Sequence, residues 1–102
     1  MSQASIQQKD ANTALVSGVI DVNNAMQLKA QGEALIKKLE NSITIDLSGI
    51  EQSGSVGVSV MLAWMRMASA EGKDIQFQDM PAKMFDVARV SGLDEVFPLK
   101  HS

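Results

Sequence analysis

The chain has 102 residues, 45% hydrophobic and 21% charged, with no cysteine and a formal net charge of −3. That composition suits a globular chain with one core, so a single domain over residues 1–102 is expected, and disordered or fibrous classes are excluded. The acidic balance leaves no basic footprint for nucleic acid or anionic lipid, and without cysteine there are neither disulfides nor thiolate metal sites.

Met1 to Asp10 has neither a basic start nor an apolar run, so no secretory signal is expected and a cytoplasmic location is. Strand-like pieces at Ser5 to Gln8 and Thr13 to Ile20 flank the polar Lys9-Asp10-Ala11-Asn12, which predicts an antiparallel pair joined by a turn. From Asn23 or Asn24 the spacing becomes helical. Ala25, Leu28, Gly32, Leu35, Ile36 and Leu39 share one face up to a stop at Asn41-Ser42. Ile43 to Leu47 alternates as a strand, and Ser48-Gly49 reads as the turn that ends it. A strand after a helix after a strand implies a right-handed crossover and parallel pairing.

Gln52-Ser53-Gly54-Ser55 is a loop of small residues, and Ser55 is placed to cap a helix from Val56 to Ala70. Such a strand-loop-helix unit collects free backbone N–H groups and the positive end of a helix dipole at one point. As a cap, the Ser55 hydroxyl is worth about 1 kcal/mol; as an exposed group it is a contact or a modification site, and the two roles can coexist. Within the helix, Val58, Met61, Leu62 and Met65 are expected to face the sheet, with Val60, Trp64 and Met67 to one side. A helix lying on one sheet face buries little more than half its circumference. Trp64 is therefore expected to be an exposed anchor, flanked by Arg66, in a partner-binding surface made of Gly54, Ser55, Val56, Val60, Trp64 and Met67. The apolar run from Val56 to Met67 falls short of the roughly 20 residues that cross a bilayer.

Glu71-Gly72-Lys73 stops this helix and leads into an alternating strand, Asp74 to Gln78. Pro81 marks the first turn of a third helix capped near Asp79, with Met84, Phe85, Val87 and Ala88 as its apolar side and Ser91-Gly92 as its stop. Leu93 to Phe97 reads as a further short helical turn ended by Pro98, and Lys100-His101-Ser102 as a frayed tail. The order β-β-α-β-α-β-α-α predicts an α/β sandwich of two layers, a small mixed sheet with helices mainly on one face.

Little in the chain suggests catalysis. The aspartates are scattered over turns and helix starts, His101 stands alone at the end, and no phosphate loop, HExxH or GxSxG motif occurs. A serine with no base partner is a poor nucleophile, so neither enzymatic activity nor a metal or cofactor is expected.

Ile45-Asp46-Leu47-Ser48-Gly49-Ile50 followed by Ser53-Gly54-Ser55-Val56-Gly57-Val58 resembles the paired signature of STAS domains. Ala88 to Leu93 with Val96-Phe97-Pro98 is similar to the closing segment of that family, so the resemblance spans nearly the whole chain. Within the family the chain is most similar to MlaB-type subunits of phospholipid-transporting ABC complexes. The resemblance implies a STAS fold and a non-catalytic subunit docked on the complex's cytoplasmic ATPase, hence peripheral to the inner membrane, with a role in outer-membrane lipid asymmetry. It implies no nucleic acid partner, no insertion into the membrane and no small-molecule substrate. The alternative is an anti-sigma-factor antagonist switched by phosphorylation of Ser55, which falls on that family's hydroxyl position. Gly54 stands where many phosphorylatable members carry aspartate.

Overall fold

Residues 3–100 are described by a computed structural model. Five strands lie side by side in chain order: β1 (Ser5–Gln8), β2 (Thr13–Val19), β3 (Ser42–Gln52), β4 (Asp74–Gln78) and β5 (Leu99–Lys100). β1 and β2 are antiparallel; the other neighbours are parallel. Three helices, α1 (Ala25–Lys38), α2 (Gly54–Ala70) and α3 (Ala82–Val90), supply the second layer, with α2 packed between α1 and α3. The expected mixed sheet, two layers and element order hold through α3.

Strand alternation sets the two faces of the sheet. Ala14, Ile45 and Phe77 stand in register across three strands, and all are buried in the core. One residue on, Leu15, Asp46 and Gln78 are in register on the opposite face. Phe97 closes the core at one end, its ring edge-on to Phe77 at 5.7 Å.

Three expectations about elements are corrected. Ser48-Gly49 does not end β3, which continues to Gln52 through two register shifts against β2, so its backbone groups stay paired where a turn would have exposed them. Asp79 does not cap α3. It takes a left-handed conformation with φ 56° in the turn after β4, and Pro81 occupies the N-cap position. No further helix follows α3: residues 94–96 form a single turn closed by Val96 N–H on Leu93 O at 3.0 Å, and the chain then adds β5 beside β4. The frayed tail is therefore overturned for Lys100, while His101 and Ser102 lie outside the described residues.

Candidate functional site

The strand-loop-helix corner holds the candidate site. α2 begins at Gly54, two residues earlier than the sequence suggests, and Ser53 is its N-cap without a side-chain capping bond. Ser55 is thus not the cap. It lies in the first turn, exposed, and among the described residues its hydroxyl has no hydrogen-bond partner; its carbonyl accepts a bond from Ser59 Oγ at 3.4 Å. Gly54, with φ 61°, makes the bend that lets the chain enter the helix here. Gly57 brings this first turn against α3, since a Cβ there would stand 2.5 Å from Ser53 Cβ and 2.9 Å from Met84 Cε.

Two concave surfaces flank Ser53-Gly54. One is a groove of about 480 Å³, lined mainly by Ile50, Pro81, Met84 and Val87 with Glu51 and Lys83 at its sides. The other, of about 410 Å³, is formed by Val19 to Val22 and residues 52–56, and includes Ser55. Val22 belongs to it and is 79% exposed. Met26, also 79% exposed, lies one helical turn further along, because Ala25 N–H already bonds Asp21 O in helical fashion. Val22 thus leaves a large apolar side chain in water on the same concave surface as the unengaged Ser55 hydroxyl.

The structure overturns the expected exposure of Trp64 and Val60. Trp64 is 0% exposed and Val60 3%. The indole lies over Gly32 of α1, and its Nε1–H donates to Lys29 O at 3.0 Å. The physical reason is that α2 is covered on three sides: the sheet takes one arc, while α1 and α3 take the flanks that a helix alone on a sheet would leave wet. The buried arc runs along Gly57, Met61, Trp64 and Ala68 with Val58 and Val60; Leu62 and Met65, expected on the sheet, are only half-buried. Of the six residues singled out from sequence, Gly54 and Ser55 are exposed, and Val56 and Met67 are half-buried. Met67 contributes to a separate shallow groove with Lys29, Glu33 and Arg66, away from Ser55. Val22 and Met26 were missed because they precede or open α1, where a lone valine and methionine carry no periodic signal. Two exposed apolar residues four apart beside a turn were the available clue.

Away from this corner, Asp46 is a nearly buried carboxylate, 7% exposed, on the sheet face opposite the helices. Burial pushes its pKa up, but the Ser48 backbone N–H at 2.9 Å, the Ser48 hydroxyl and the Lys9 ammonium outweigh this and hold the carboxyl below its ordinary value. Among the described residues no three metal-ligating side chains cluster, and no helix is long and apolar enough to cross a membrane.

Comparison with known proteins agrees with this architecture. An anti-sigma factor antagonist from Mycobacterium paratuberculosis superposes with a TM-score of 0.77 and 25% identity, over 98% of this chain and 86% of that one. SpoIIAA of Bacillus in its phosphorylated form gives 0.71 at 18% identity, over 98% and 91%, a likeness of fold. Among curated sequences, BtrV of Bordetella bronchiseptica, named for the anti-sigma factor antagonists, is 26% identical over 89 residues, which is 87% of this chain and 77% of that protein. The family profile described as "Mlab, STAS domain" matches residues 4–99, and the chain belongs to the STAS domain family.

Proposed function

We propose that this chain is a non-catalytic docking module that regulates a nucleotide-binding partner protein through the Ser55 corner. One observation carries the reading: an exposed hydroxyl without a partner among the described residues, in the first turn of α2, on a concave surface with the exposed Val22 and next to the Ile50–Pro81–Met84 groove that Ser53-Gly54 also lines. Burial of these apolar groups supplies affinity, and the hydroxyl at the positive end of α2 supplies a point of control. Docking regulates the partner insofar as the surface binds one of its conformations better than another.

Two partner classes fit, each favoured by its own observation. The names of the relatives favour an anti-sigma-factor antagonist, whose partner is a kinase-like protein that phosphorylates Ser55. A phosphate there gains from the helix dipole but places about −1.5 to −2 charge within an apolar contact, so docking weakens. The family description favours instead the cytoplasmic ATPase of a phospholipid-transporting ABC complex, and Gly54, which offers no carboxylate beside Ser55, fits that partner. Affinity capture from the native cell, with mass spectrometry of both the captured proteins and the Ser55 peptide, separates them. A soluble kinase-like partner and a phosphorylated Ser55 support the first; an ABC ATPase with its membrane subunits and an unmodified Ser55 support the second. A capture that survives Val22→Glu and Ser55→Glu together would refute the Ser55 corner as the contact for either.

A further inference from the structure

α1 and α2 end in contrasting ways. α2 closes on itself: Gly72, at φ 70°, donates to Ser69 O at 3.0 Å and Lys73 N–H returns to Ala68 O at 2.9 Å, the paired bonds of a Schellman stop. α1 has no glycine at its end. Its C-cap, Leu39, turns directly into extended backbone, which leaves the carbonyls of the last turn without the chain's own N–H groups to accept. The Lys73 side chain, in the connection between α2 and β4, meets that need. Its Nζ donates to Ile36 O at 2.7 Å, Leu39 O at 2.8 Å and Lys37 O at 3.0 Å, so all three ammonium protons are used on one helix end. Among the described residues no carboxylate pairs with this ammonium, so the negative end of α1 is its counter-charge.

We infer that Lys73 is a latch that caps α1 in trans. The Schellman stop fixes where the lysine leaves α2, and the ammonium fixes where α1 ends. Loss of its charge opens the last turn of α1 and the following residues, about positions 36 to 41, while the sheet and α2 keep their own bonds. The latch therefore makes the closure of the last turn of α1 depend on one amine keeping its charge.

Two measurements test this. In the native chain, brief treatment with an amine-acetylating reagent followed by peptide mass spectrometry should show Lys73 at least about tenfold slower to react than Lys83 or Lys37, both exposed, because three charge-assisted bonds must break first. Equal rates overturn the latch. In Lys73→Gln, amide hydrogen exchange in residues 36–41 should accelerate about tenfold or more, with α2 and β3 unchanged, and Lys73→Arg should restore part of the protection. Unchanged exchange in that segment, or uniform acceleration across the whole chain, would overturn it.

Discussion

Gly32→Ala puts the packing of α2 against α1 to a test in which helix propensity and tertiary contact predict opposite signs. Alanine in a helix interior is favoured over glycine by about 1 kcal/mol, so a reading from propensity alone expects the variant to be more stable. The structure opposes this. A methyl at position 32 would sit 2.2 Å from Trp64 Cε2 and 2.3 Å from Cζ2 and Nε1, where ordinary contact begins at 3.4 Å. The ring cannot swing aside freely, since it is wholly buried and its N–H is bonded to Lys29 O. Either α1 moves away by about 1 Å, or the indole rotates and strands its donor. Overpacking costs about 1–3 kcal/mol and a buried donor without a partner about 1–3 more. Set against the propensity gain of about 1 kcal/mol, the two costs together leave a net loss of about 1–5 kcal/mol, a fall in Tm of about 4 °C or more. Urea unfolding followed by far-ultraviolet circular dichroism measures it. Replacing Trp64 with leucine in the same chain should remove most of the Gly32→Ala penalty, as coupling between touching residues requires. A Gly32→Ala variant as stable as the parent would refute the account of Trp64 burial.

Other outcomes follow from the same structure. Ionised Asp46 stabilises the fold at pH values above its unfolded pKa, and because its folded pKa is lower still, that contribution is lost as the pH falls through the folded value. Asp46→Asn should therefore cost about 1 kcal/mol at neutral pH, with the gap to the parent closing in acid; a gap that stays constant with pH would contradict the assignment. Lys9→Ala should change little, since its side chain is half exposed and the ion pair spans 3.7 Å. Val22→Ser with Met26→Ser should leave stability within about 0.5 kcal/mol of the parent yet weaken partner capture about tenfold or more in a titrated pull-down. Equal capture by this variant would remove the α1 side of the proposed surface.

The candidate site was partly legible before any coordinates. Ser53, Gly54 and Ser55 are too small to be core and too flexible to be strand, so a corner at the start of an apolar helix follows from residue type alone. Its exact register did not follow, because the helix boundary depends on where the backbone bends, and Gly54 bends it one residue before Ser55. The exposure expected of Trp64 and Val60 is overturned, and the exposed Val22 and Met26 are not singled out by sequence pattern. Helical periodicity assigns residues to faces, and α2 is apolar over so broad an arc that periodicity cannot say which part of it is left uncovered.

By itself, the sequence determined what local chemistry controls: the alternating strand at β4, the apolar face of α1, the glycine stops at Gly72 and Gly92, and through its paired motifs the family. Tertiary structure alone decided what depends on neighbours distant in the chain. α1 and α3 close over α2 and bury the indole, β3 continues past Ser48-Gly49 because β2 is there to pair with it, and Lys73 caps a helix 34 or more residues away. Burial and capping are properties of a contact, and a contact between remote segments has no signature in either segment read alone.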